Sequence, residues 1–143
     1  MAHILVLNGP NLNLIGTREP ELYGTQTFDH YLTTLRSIFA GHTIDLVQSN
    51  VEGELINALQ GALGNYSGVV LNAAGFSHTS VAIRDTIAWL SLPVVEVHIS
   101  NIHAREEFRE RSITGGKCVG VITGFGMDGY RLAIDHLLQR GEK

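Results

Sequence analysis

An alternation dominates this chain: short β-branched runs, each followed by a longer stretch of helical period. The runs are 3–8 (HILVLN), 43–48 (TIDLVQ), 68–72 (GVVLN), 94–99 (VVEVHI) and 118–123 (CVGVIT). Helices are predicted at 28–40, 53–63, 79–91 and 128–140, with a short, highly charged one near 104–111. Neighbouring parallel strands are joined by right-handed crossovers, so β-α repeated five times predicts a parallel sheet with helices on both faces. The natural five-stranded solution is an α/β, flavodoxin-like doubly wound sheet of order 2-1-3-4-5. Gly41 and Gly64 stand where the first two helices should stop, and Pro93 opens the fourth strand where its missing N–H is tolerated.

The length of 143 residues suits a single domain, expected over 1–143, and no Pro/Ser-rich linker or internal repeat divides it. With 44% hydrophobic and 17% charged residues, the composition excludes intrinsic disorder. The charged share lies below the roughly 25% of a typical soluble domain, which points to surface buried against further copies of the chain. A formal net charge of -4 argues against a general affinity for nucleic acid, and no apolar stretch is long enough to span a membrane. The lone Cys118 has no intramolecular disulfide partner, so a reducing cytoplasm is the expected compartment.

Ligands of open α/β sheets bind outside the carboxyl ends of the strands. The first strand is followed there by Asn8-Gly9-Pro10-Asn11, the second by Gln48-Ser49-Asn50, and the third by Asn72-Ala73-Ala74-Gly75 before His78. The fourth leads to His98-Ile99-Ser100-Asn101 and the fifth to Gly124-Phe125-Gly126. Asn and Gly are ordinary turn residues, but amides or imidazoles after four strands predict a neutral, hydrogen-bonding pocket. The connection from Gly9 to Thr27 spans nineteen residues, where βα loops usually take two to six, and reads as a binding loop or active-site lid.

That loop carries Arg18 and Tyr23 between glycines. A tyrosine acting as general base is about three pKa units too weakly ionised at pH 7, roughly 4 kcal/mol, and a neighbouring arginine supplies part of that by favouring phenolate. His98 ends a buried strand with Glu96 on the same face at period two, where an acid can orient or tune the imidazole. His78 and Asp85, seven apart, are expected on one face of the third helix, with Asp85 projecting sideways. Within Arg105-Glu106-Glu107-Phe108-Arg109-Glu110-Arg111 most charges read as a solvated face, yet Arg105 or Arg109 is a candidate for a substrate carboxylate.

Other chemistries fit poorly. The 124–129 run matches a dinucleotide fingerprint, but only fourteen residues follow Gly129, too few for the second strand and its acidic residue. His98 and His103 lack a third zinc ligand at recognised spacing, and there is no G-x-S-x-G elbow. A receiver domain needs acidic residues after the first strand and a lysine after the fifth. The two lysines, Lys117 and Lys143, are badly placed for a Schiff base.

Residues 8–24 (NGPNLNLIGTREPELYG), 72–85 (NAAGFSHTSVAIRD) and 96–109 (EVHISNIHAREEFR) closely resemble type II 3-dehydroquinate dehydratase, and the resemblance runs from the first strand to the last helix. It implies reversible loss of water from 3-dehydroquinate to 3-dehydroshikimate through an enolate, without metal or cofactor, for aromatic biosynthesis or quinate breakdown. It implies flavodoxin-like subunits in trimers, four of which form a homododecamer. Residue by residue, it makes Tyr23 the base at C2, Arg18 the cation that lowers its pKa, and His98 the acid for the C1 hydroxyl. Asn11 holds a water on the enolate oxygen, and Asn72 and His78 contact substrate hydroxyls. Ile99 and Ser100 offer backbone N–H groups to the carboxylate, Arg109 meets a ring hydroxyl instead of that carboxylate, and Asp85 reaches the neighbouring subunit's site. Ser77 departs from a position where Thr is common, which bears on affinity and not on activity.

Overall fold

The computed structural model describes residues 1–17, 21 and 25–141. Five parallel strands, β1 (His3–Asn8), β2 (Thr43–Gln48), β3 (Gly68–Asn72), β4 (Val94–His98) and β5 (Gly120–Thr123), form one sheet of order β2-β1-β3-β4-β5. The order expected from the alternation is the order observed. The helices are α1 (Phe28–Ile38), α2 (Glu52–Ala62), α3 (Val81–Trp89), α4 (Glu107–Glu110) and α5 (Asp128–Gly141).

Period-two alternation splits the core into two layers. Ile4 and Val6 of β1, Val70 of β3 and Val95 and Val97 of β4 face Phe28, Leu32 and Leu35 of α1 and Tyr130, Ala133 and Ile134 of α5. Leu5, Leu7, Val69, Leu71 and Val94 face Leu55 and Leu59 of α2 and Ile83 and Ile87 of α3. Strands buried on both faces read as continuous apolar runs, which is why β1 and β3 lack a polar side.

The helix boundaries differ from expectation by a few residues, each for a local reason. α1 begins after Thr27, whose side chain accepts from the His30 N–H, and it ends at Ile38, so Gly41 stands beyond the stop. Gly64 does follow the end of α2, with φ +84. The third helix starts at Val81 and not at 79, because Ser80 caps it through the Ile83 N–H. His78 therefore lies in a separate 3-10 turn, Ala74–His78, and does not share a helix face with Asp85. The charged helix near 104–111 shrinks to Glu107–Glu110, preceded by a 3-10 turn at Ile102–Ala104. β4 ends at His98. β5 starts at Gly120, because the Cys118 N–H turns back onto Gly115 and closes the 3-10 turn Gly115–Lys117.

Candidate active site

The carboxyl edge of the sheet holds a cavity of about 130 Å³, lined by Pro10, Asn11 and Leu12 after β1, Asn72, Ala74, Gly75 and His78 after β3, and His98, Ile99, Ser100 and Ile102 at the end of β4. Arg105 and Arg109 complete the wall. Two guanidinium groups and two imidazoles, with no carboxylate among the lining residues, favour an anionic ligand; the size suits one small ring and not a dinucleotide.

His98 is the most tightly specified group. Its Nε2 lies 2.8 Å from Glu96 Oε2, and both side chains are buried. Burial pushes the Glu96 carboxyl up, but the His98 hydrogen bond and charge, with hydroxyls from Ser112 and Thr114, outweigh it and hold the group below the usual carboxylate range. Glu96 is therefore an acceptor, His98 Nε2 carries a proton, and Nδ1 is left as the nitrogen available to a ligand.

His78 stacks against His98, with ring centroids 6.1 Å apart, and its Nδ1 lies 2.8 Å from the Arg111 carbonyl. A carbonyl only accepts, so Nδ1 carries hydrogen and the other nitrogen, Nε2, is the one available to a ligand.

Asn72 is held by a buried network invisible at the level of motifs. Its Nδ2 donates to Tyr130 Oη at 2.8 Å, that hydroxyl donates to Asn8 Oδ1 at 2.9 Å, and Asn72 Oδ1 accepts from the Ala74 N–H at 3.1 Å. Burial drives the Tyr130 pKa far above the ordinary tyrosine value, so it is a fixed hydroxyl, not a base. The network settles which end of the Asn72 amide is nitrogen and leaves one N–H for a ligand. Gly9 makes the approach possible: its N–H donates to Asn72 O at 2.7 Å, and a Cβ there would lie 2.6 Å from the Ala73 carbonyl oxygen.

Asn11 sits at the cavity mouth with φ 69, its N–H bonded to Asn50 Oδ1 at 3.0 Å. Gln48 donates to the Gly9 carbonyl at 3.1 Å and to Asn50 Oδ1 at 3.2 Å. The amides after β2 thus fasten the loop after β1 instead of lining the cavity, so of the four strand ends expected to contribute amides or imidazoles only those of β1, β3 and β4 do. The Gly-Phe-Gly after β5 is spent similarly: Gly124 N–H donates to His98 O at 3.2 Å and Gly126 N–H to Ile99 O at 2.9 Å. Thr123 Oγ1 accepts from the Ile102 N–H at 3.2 Å and donates to Ser100 O at 3.1 Å, pinning the turn that carries Ile99 and Ser100.

Arg109 Nε donates to Glu106 Oε2 at 2.8 Å, which keeps its guanidinium on the cavity side of α4. Asp85 is exposed on α3 and is not among the cavity-lining residues. Arg18 and Tyr23 lie outside the described residues. Lys117 borders a different hollow with Leu90, Pro93 and Val94 at the amino edge of the sheet, as its place before β5 predicted. Burial, with the nearby Glu96 charge, pushes the Cys118 thiol up to about 12, so it is no nucleophile. Among the described residues no three His, Cys, Asp or Glu side chains form a metal-binding group, and no helix is long and apolar enough to cross a membrane.

A parallel α/β sheet with two imidazoles and two guanidinium groups around a small cavity at its carboxyl edge fits the class of enzymes that act on small anionic substrates. Comparison with known proteins narrows the class. The family profile described as Dehydroquinase class II matches residues 2–138. A 3-dehydroquinate dehydratase of Bacillus licheniformis is 50% identical over 145 residues, covering 100% of both chains, and one of Helicobacter hepaticus is 53% identical over 95% of this chain and 88% of its own. The crystal structure of a type II dehydroquinase from Butyrivibrio crossotus superposes with a TM-score of 0.93 at 40% identity, covering 96% of this chain and 97% of that one. The chain belongs to the class II dehydroquinases, and it is a hydro-lyase of the 3-dehydroquinate dehydratase type.

Proposed function

We propose that dehydration of 3-dehydroquinate proceeds here by anti elimination through an enolate, with Tyr23 as base at C2, Arg18 favouring its phenolate, and His98 as the acid that protonates the departing C1 hydroxyl. The observation that carries this reading is the His98–Glu96 pair, buried at the head of a cationic cavity. Loss of a β-hydroxyl needs a proton donor near neutral strength, and imidazolium held against a carboxylate meets that need. Asn11 holds the water that stabilises the enolate oxygen, where a preorganised donor is worth most. Asn72 and His78 bind ring hydroxyls through the one N–H and the one ring nitrogen left to them, Ile99 and Ser100 offer backbone N–H groups to the carboxylate, and Arg109 meets a ring hydroxyl.

The whole chain acts as one catalytic domain in the cytoplasm, with the 9–27 connection as its lid. It works without metal or cofactor as a homododecamer, a tetramer of trimers, in which Asp85 reaches a neighbouring site. The exposed place of Asp85 on α3, away from its own cavity, supports that arrangement. So do the exposed apolar side chains Val81 and Trp89 on the same helix.

The test is turnover, read as absorbance of the conjugated enone product. Tyr23→Phe is expected to abolish nearly all turnover while substrate still binds, and near-normal kcat overturns the assignment of the base. Borohydride with substrate is expected to leave the enzyme active. Covalent trapping at Lys117 would replace the enolate with a Schiff base.

A further inference from the structure

We propose that Ser112 and Thr114 are positioning residues for the acid step: their hydroxyls hydrogen-bond both oxygens of the Glu96 carboxylate, so the shared proton stays on His98 and Glu96 serves only as its anionic support. The inference rests on the reading of His98 as the acid.

A carboxylic acid and an imidazole in contact share a proton in two ways. Carboxylate with imidazolium leaves His98 a competent acid. Carboxyl with neutral imidazole leaves only a neutral imidazole N–H, which is far too weak. Burial favours the second, uncharged arrangement, because two ions out of water cost more than two neutral groups. Glu96 is 0% exposed and lies in the middle of the sheet between β3 and β5. Something must offset that preference.

The offset comes from the segment before β5. Ser112 Oγ donates to Glu96 Oε2 at 2.5 Å, beside the His98 contact, and Thr114 Oγ1 donates to Oε1. The Ser112 oxygen also accepts the Gly115 N–H at 3.0 Å, and of the two acceptors within reach of its proton Glu96 Oε2, at 2.5 Å, is nearer than Thr114 Oγ1, at 3.3 Å. Each donor favours the charged form of Glu96, because a carboxylate oxygen accepts a hydrogen bond more strongly than a carboxyl oxygen does. Gly115 lets the strap lie this close: a Cβ there would sit 3.0 Å from Glu96 Oε2.

The same strap serves both imidazoles. The Arg111 carbonyl holds His78 Nδ1, the Ile113 N–H donates to Ser77 O at 2.8 Å, and Arg84 of α3 donates to the Ile113 carbonyl at 2.5 Å. In sequence, Ser-Ile-Thr-Gly-Gly looks like a mere connection.

Among the described residues, the other titratable or charged groups around the pair are Cys118 before β5, Arg84 on α3, His78 after β3, and Arg105 and Arg109 across the cavity. None is altered by the test, so a change in the pH profile reports the Glu96–His98 pair.

The experiment measures kcat and KM against pH by enone absorbance for Thr114→Val, Thr114→Ser and Ser112→Ala. Without the Thr114 hydroxyl the neutral arrangement gains share and the pair holds its one proton to higher pH, so the basic limb of kcat is expected to rise by up to about one pH unit, the size of one hydrogen bond to a charged group, with the plateau falling in step. KM on the plateau is expected to change less than about two-fold, since neither hydroxyl is among the cavity-lining groups. Thr114→Ser is expected to restore the profile, and in a Glu96→Gln background Thr114→Val is expected to move nothing further. A fall in kcat with the basic limb unmoved, or a shift that persists with Gln at 96, overturns the proposal. If the valine variant does not fold, Ser112→Ala carries the test with the same expected direction, and no shift there is equally fatal. His98→Gln separates the two levels: full activity in that variant removes the acid reading itself, whereas an unmoved Thr114→Val profile with inactive His98→Gln removes only the role of the strap.

Discussion

Two histidine–carboxylate pairs sit at opposite ends of the same sheet. At the amino edge His3 Nε2 meets Asp45 Oδ2 at 2.7 Å, and at the carboxyl edge His98 Nε2 meets Glu96 Oε2 at 2.8 Å. By distance they are equivalent. The side chains of the first pair are 39% and 42% exposed, those of the second 6% and 0%. The partners differ as well. Asp45 is bonded by Tyr66 at 2.8 Å, and its ring neighbours His3 and Tyr66 lie 4.3 Å apart on open surface. Glu96 is enclosed by hydroxyl donors on one side and opens, through His98, onto the cavity. The contrast teaches that an imidazole–carboxylate contact becomes chemistry only where solvent is excluded and the remaining nitrogen faces a ligand.

Substitutions can break that comparison. The largest effect is expected from His98→Gln, which should cost about 10²–10⁴ in kcat, the usual worth of a positioned general acid. The same change at His3 should leave kcat untouched, and a loss at His3 comparable with that at His98 would erase the distinction. Next comes Glu96→Gln, which leaves buried donors facing an amide; about 3 kcal/mol of unfolding free energy in urea is expected to be lost, as when one partner of a buried pair is removed. The sign with pH follows from the lowered folded-state value of Glu96. Its contribution is present above the unfolded carboxylate value near 4.3 and disappears as pH falls through the lower folded value, so wild type and variant should converge in acid. Least is expected of Asp45→Asn. Hydrogen bonds from Tyr66 and His3 lower the Asp45 pKa, so its contribution also fades in acid, but solvent screens so exposed a pair and at most about 1 kcal/mol should be lost. A loss at Asp45 matching that at Glu96 would mean that burial is not what separates the two pairs.

How much of this was legible beforehand varies by residue. The order of the sheet followed from the alternation, and the pairing of Glu96 with His98 from strand period, because both signals are local. The placing of His78 on the third helix failed, since a serine cap at 80 competes with helical period and wins. Gln48 and Asn50 were legible as polar but not as loop fasteners. The roles given to Asp85, Asn11, Asn72 and, in its final form, Arg109 came from the resemblance, whereas Tyr23, Arg18 and His98 were already singled out by their chemistry. Tyr130, Ser112 and Thr114 escaped notice, each looking like a core aromatic or connecting residue, and Asn8 was legible only as one of the strand-end amides.

By itself, the sequence determined a five-stranded parallel sheet, the edge that carries the cavity, and an imidazole that lines it. Those conclusions rest on periodicity, strand-end chemistry and motif, all encoded within a few residues of one another. Only the tertiary structure decided that Tyr130 locks Asn72 across 58 residues and that Thr114 grips Glu96 across 18. A buried polar atom must find its partner wherever the fold brings one, and chain order carries no record of that meeting until the backbone has closed around it.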